Sequence, residues 1–181
     1  MTRVGRQEEV IDWVRSLAAE IGLCLGTDGT DGLDCIIIGQ QTFVVVASPA
    51  HPLARRSAVQ PSDLVNHDFV AAPEPSLLGK GITRLLAGIG ASPLRIVSRA
   101  TEFDFLLALV LENVGLYCCL ASHVQTDIAR RRLVALPLQA PALSLPVAQI
   151  VPPGRALSRA ARDFATFQRQ RLAEIGSGLS D

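Results

Sequence analysis

The stretch Thr-Phe-Val-Val-Val-Ala-Ser-Pro-Ala-His-Pro-Leu-Ala, residues 42–54, decides how the rest of the chain is read. Its first six residues are β-branched, aromatic or small, and predict a buried strand over 42–47. Ser48, Pro49 and Pro52 break that strand, because proline brings no amide to a sheet ladder.

Toward the N-terminus, residues 7–19 predict a helix with Val10, Val14, Leu17 and Ile21 on one stripe and Glu8, Glu9, Asp12 and Arg15 facing water. A short strand, 21–25, follows and ends at Gly26, and residues 26–32 are loop chemistry. Toward the C-terminus, Pro61-Ser62-Asp63 opens a helical turn, and 69–72 is a strand ended by Pro73 and Pro75. Residues 79–89 predict a helix, with Ile82, Leu85, Leu86 and Ile89 at helical spacing, and 95–98 a strand. The next helix opens at Thr101, which with Asp104 has capping-box spacing. Residues 105–111 are apolar nearly all round, so this helix is expected to be buried on several sides. After a strand at 114–120, Ser122 and Gln125 repeat the capping-box spacing and start a helix to about residue 130. A strand at 133–136, a linker at 141–146 and a strand at 147–151 come next. The last helix, 158–175, has Ala160, Ala161, Phe164, Phe167, Arg171 and Ile175 as its stripe, and 176–181 reads as a loose tail. Helices alternate with short apolar strands of the kind found in covered parallel sheets, so the class is α/β.

At 181 residues there is room for one domain or two small lobes, and 49% apolar residues supply a core. Seventeen basic residues balance seventeen acidic ones. That argues against a surface built to neutralise phosphates, so no nucleic-acid contact is expected of this segment itself. The N-terminus shows no secretory pattern, and no apolar run reaches membrane-spanning length. The chain therefore reads as cytoplasmic, with no membrane contact. Cys24, Cys35, Cys118 and Cys119 lack metal-site spacing and lie near no histidine, so free thiols are expected and no metal.

The search for chemistry returns little. Gly79-Lys80-Gly81 is too short for a phosphate loop, and no nucleophile elbow is present. Asp28, Asp31 and Asp34 have faintly calcium-like spacing, but the glycine and terminal glutamate are misplaced, so a solvated turn is the better reading. His51 reads as a lone surface histidine. Nothing points to an enzyme, a catalytic residue or a cofactor.

The order of these pieces resembles the effector-binding half of LysR-type transcriptional regulators. The run 45–54 is similar to the family's crossover, where a strand ends and His-Pro-Leu-Ala opens a second lobe. Pro61-Ser62-Asp63-Leu64 before Asp68-Phe69-Val70, the leucine-rich helix leading to Gly115 and its strand, 132–138, and 157–164 match later pieces in order. At the front, Val4-Gly5, a Glu-rich helix and Glu20-Ile21-Gly22-Leu23 resemble the first lobe. The family's helix-turn-helix, linker helix and first strand have no counterpart, Glu20 replaces a customary Asp, and the usual Pro after Leu120 is missing.

The resemblance implies two Rossmann-like lobes joined by two crossover strands, periplasmic-binding-protein-like (type II), with the first lobe incomplete at its N-terminus. Residues 1–47 plus 147–181 would form the first lobe and 49–145 the second. A small, anionic effector is expected in the cleft, at strand ends and helix N-termini where amides and the helix dipole favour anions. By position the candidate contacts are Arg6, Gln7, Ser48, Ser76, Leu78, Gly79, Thr101, Glu102 and Phe103. Thr101 also reads as a plain helix cap, and Leu78 and Phe103 as core. Arg6 stands out, because a cation at a helix start opposes the dipole and gains most from an anionic partner. An antiparallel side-by-side homodimer is implied, with the helices at 7–19 and 79–89 in contact. DNA would be reached only through a domain outside this chain. A transport solute-binding protein, an enzyme on a related fold and a regulator fragment without ligand are the alternatives.

Overall fold

The computed structural model describes residues 2–74 and 76–177, without the side chains of residues 169 and 172–177. In chain order the elements are α1 (Gln7–Arg15), β1 (Gly22–Leu25), β2 (Asp34–Ala47), a 3-10 turn (Pro52–Arg55), α2 (Pro61–Leu64), β3 (Asp68–Ala71) and α3 (Leu77–Gly88). They continue as β4 (Arg95–Arg99), α4 (Phe103–Leu111), β5 (Tyr117–Leu120), α5 (Ala121–Ala129), β6 (Val134–Ala135), β7 (Leu143–Val151) and α6 (Arg159–Ser177). The fold is α/β, in two compact units.

The first unit comprises Met1–Gln41, Ser76–Leu78 and Leu145–Asp181. Here β1 pairs antiparallel with β7, from Gly22 opposite Ile150 to Leu25 opposite Val147. One face of that pair, Cys24, Ala148 and Ile150, packs on Ile11 and Val14 of α1. Burying such side chains is worth roughly 1.5–3 kcal/mol each, so this contact sets the side of the sheet that α1 covers. Because strand residues alternate, Leu23 and Gln149 face the other way. The second unit comprises Thr42–Pro75 and Gly79–Ser144. Within it β2 pairs antiparallel with β5, Phe43 opposite Leu120, and with β6, Val46 opposite Ala135. β3 and β4 run parallel, and Phe69 bridges in parallel to Leu116. Val46, Val70, Leu106, Val110, Tyr117, Cys119, Val124 and Leu133 form its core.

Several expectations need correction. The first helix ends at Arg15, four residues early: the Ser16 hydroxyl bonds the Asp12 carbonyl at 2.7 Å, and Leu17 turns to φ 62°. The strand read at 42–47 begins at Asp34; residues 34–37 are exposed and carry no burial alternation, so no pattern announces them. Thr101 and Asp104 do not form a capping box. Glu102 is the N-cap of α4, and Thr101 Oγ1 donates instead to Glu102 Oε1 at 2.6 Å. Nor is α4 buried on several sides: Leu106 and Val110 are buried, whereas Phe105 and Leu111 are exposed. Ser122 does not cap α5, whose N-cap is Leu120. The segment 141–146 is not a linker throughout, since β7 starts at Leu143 and Gly26 N donates to the Pro146 carbonyl at 2.7 Å. On α6 the buried positions are Ala161 and Ala165, while Phe164 and Phe167 face solvent. Ile175 and the tail at 178–181 lie outside the described side chains or residues.

Candidate functional site

Four of the sequence-predicted contacts belong to the first unit. Arg6 is the N-cap of α1, where its own amide donates to Glu9 Oε2 at 2.7 Å and its guanidinium lies 3.6 Å from the same oxygen. The two bonds hold the Glu9 carboxyl below its ordinary range, with the Arg6 amide as the larger cause. Glu9 therefore complements the helix dipole, and the Arg6 guanidinium is exposed beside it. Gln7 opens α1 and sends Nε2 toward the Asp28 carbonyl at 3.5 Å, a long contact. Ser76 and Leu78 flank Leu77, whose amide donates to Glu8 Oε1 at 2.5 Å. The first amide of α3 is thus already paired with a carboxylate.

Five belong to the second unit. Ser48 is buried just after β2, and its hydroxyl accepts from Ala50 N at 3.4 Å and reaches the Leu111 carbonyl at 3.5 Å. Gly79 is buried on α3 in the wall of a cavity of about 20 Å³, together with Thr83, Tyr117 and Cys118. Such a space holds about one water, so it is no metabolite pocket. Thr101 and Glu102 stand exposed at the start of α4. The hydrogen bond from Thr101 holds the Glu102 carboxyl below its ordinary range, so a negative charge already sits at that helix start. Phe103, half-buried, packs against the core, with ring centroids 6.1 Å from Tyr117 and 5.3 Å from His123.

Sequence reading missed two anchoring carboxylates. Glu8 was expected to face water, yet it caps a residue 69 positions away, and no local pattern signals so remote a pairing. Glu20 accepts from both the amide and the hydroxyl of Ser158 at 2.8 Å, fixing the start of α6. His51 is also not a surface histidine: it is buried, and its Nδ1 accepts from Leu53 N at 3.2 Å. Its ring sits edge-on 4.8 Å from that of His67. Burial and then the neighbouring His67 hold its pKa below the ordinary value. It caps a turn. Burial pushes the Cys118 and Cys119 thiols up, away from reactivity. Among the described residues no group of three or more His, Cys, Asp or Glu could hold a metal ion, and no helix is long and apolar enough to cross a membrane.

Two compact α/β units, with β2 and β7 each running from one into the other, have the architecture of the periplasmic-binding-protein-like class. The profile of the family described as LysR substrate binding domain matches residues 2–173, and the chain belongs to that family. The transcriptional regulator CysL of Bacillus subtilis (strain 168) is 27% identical over 133 residues. That match covers 74% of this chain and 44% of the relative, so the chain spans less than half the length of that regulator. The effector binding domain of QuiR in complex with shikimate superposes with a TM-score of 0.79 at 18% identity, covering 94% of this chain and 79% of that one. The regulatory domain of Synechocystis PCC6803 CcmR in complex with 2-PG gives 0.81 at 15% identity, covering 94% and 81%.

Proposed function

We propose that this chain is the effector-sensing domain of a LysR-type transcriptional regulator. It binds a small metabolite, catalyses nothing and works in the cytoplasm as a homodimer. It influences DNA only through a helix-turn-helix domain outside the chain. The observation that carries this reading is the family match over residues 2–173. The effectors held by the QuiR and CcmR domains support it. Binding acts by differential affinity for two conformations, because a ligand with equal affinity for both would shift nothing.

The ligand is proposed to be anionic because Arg6 sits exposed at the start of α1. On the first unit the proposed contacts are Arg6, Gln7, Ser76 and Leu78; on the second they are Ser48, Gly79, Thr101, Glu102 and Phe103. Of these, Glu102 is the least suited to an anion, and a hydroxyl of the ligand is its natural partner. Calorimetric titration of the wild type and Arg6→Ala with a panel of carboxylates and phosphate tests the site. An affinity loss of about tenfold, roughly 1.4 kcal/mol, is expected in the variant. Unchanged affinity would remove Arg6 from the site.

A further inference from the structure

The 3-10 turn at Pro52–Arg55 is held at its start by one side-chain bond. Pro52, its first residue, brings no amide, so Leu53 carries the first N–H that needs a partner. The Nδ1 of His51 accepts it at 3.2 Å. His51 is also fixed through its backbone: its amide donates to the Ser48 carbonyl at 2.9 Å, and its carbonyl accepts from Ala54 N at 3.0 Å. Leu53 is fully buried, and His51 is 7% exposed. The capping bond needs a bare Nδ1, so it exists only while the imidazole is neutral with its proton on Nε2.

A proton on Nδ1 turns the acceptor into a donor. Two donors then face each other, and the Leu53 amide is left unpaired beside a buried side chain. The surroundings do little to offset the new charge. His67, half-buried after α2, sets its ring edge-on at 4.8 Å, and a charge there repels one on His51. The Asp63 carboxylate of α2 is already engaged, by Gln60 N at 2.9 Å and the Arg56 guanidinium at 3.0 Å. Arg55 and Arg56 are themselves exposed. Burial and then His67 accordingly hold the His51 pKa below its ordinary 6.5. The cap is therefore intact above pH 6.5 and is lost as pH falls through the lower folded value.

We propose that the His51–His67 pair is a proton-operated latch on the segment that follows β2: neutral His51 keeps the turn closed, and its protonation releases the Leu53 amide while the rest of the second unit stays folded. The latch does not depend on the proposed ligand. Hydrogen exchange of the Leu53 amide, followed by NMR over roughly pH 4.5–8 and corrected for the intrinsic rate, reads it directly. Protection should be level above pH 6.5 and fall at least about tenfold on the acid side. The Val59 amide, bonded to the Pro137 carbonyl at 3.0 Å, should keep its protection throughout. His51→Asn sets a carboxamide oxygen near the Nδ1 position and does not titrate, so its Leu53 protection should not change with pH. His67→Asn removes the neighbouring charge and should move the fall to higher pH. Level wild-type protection across the range overturns the proposal. So does a fall that His51→Asn shares, or one that the Val59 amide follows. If His51→Asn does not fold, as read by circular dichroism, His67→Asn decides: a fall that it leaves unmoved overturns the pairing.

Discussion

Replacing Gly115 by alanine tests whether the second unit is held by backbone contact as tight as it looks. A Cβ at this position would lie 2.9 Å from the Asp68 carbonyl oxygen, 3.1 Å from its carbon and 3.3 Å from that of Phe69. All three are main-chain atoms, so no side chain can swing aside. Relief requires β3 to move away from residue 115 by several tenths of an ångström. That movement loads the two bonds that join the segments, Leu116 N to Asp68 O at 2.8 Å and Val70 N to Leu116 O at 2.9 Å. Weakening two hydrogen bonds at a cost of about 0.5 kcal/mol each, together with roughly 1–3 kcal/mol for overpacking, gives about 2–4 kcal/mol of destabilisation. For a chain of this size that corresponds to a fall in Tm of roughly 5–15 °C. Gly88→Ala is the matched control. Nothing lies within 4 Å of its added Cβ, and Gly88 ends α3, so a gain of about 0.5–1 kcal/mol is expected. Urea denaturation of both variants measures the difference. Equal stabilities, or a stabilising Gly115→Ala, would refute the reasoning.

Three further outcomes follow from named side chains. His51 is held neutral in the folded state, so its contribution is fully present above its ordinary pKa of 6.5 and is lost as pH falls through the lower folded value; denaturation of His51→Gln should show a shallower acid-side decline than the wild type. Glu20→Gln loses a charged acceptor at Ser158, and faster amide exchange confined to the first turn of α6 is the expected reading. The Glu20 carboxyl is held below its ordinary value by the Ser158 amide first, so the same loosening should appear in the wild type as pH falls through the folded pKa. Of the four thiols only Cys35 is exposed, whereas burial pushes Cys24 up to about 11 and Cys118 and Cys119 up as well. Thiol titration of the native protein should therefore show one fast group and three that react only on unfolding.

Much of the fold was legible because local chemistry dictated it. The β-branched run before Ser48-Pro49 ends in a strand at Ala47, Pro61 opens a helical turn, and Ser158 sits at the start of α6, where its hydroxyl accepts from Ala161 N at 3.2 Å. What stayed hidden was set by distant partners. Residues 34–37 form a strand without a burial alternation to announce it. Pro146 looked like linker chemistry, yet a strand needs only its carbonyl, which Gly26 N uses. The stripe on α6 was right at Ala161 and wrong at Phe164 and Phe167: Ala161 and Ala165 turn inward, and the phenylalanines remain outside. Among the site candidates, the helix start was readable at Arg6, whereas the start of α4 was read one residue early, at Thr101 in place of Glu102. The carboxylate of Glu8 on the Leu77 amide was not, because their pairing exists only after folding.

The central claim is that this domain recognises a small metabolite, and a thermal-shift series over aromatic acids, amino acids and inorganic anions tests it most directly. A recognised compound should raise Tm progressively with concentration, reaching about 2.7 kcal/mol of added stability at 100 times its Kd, with Arg6→Ala responding less to the anionic compounds. A Tm that stays flat for every compound at millimolar concentration would contradict the account.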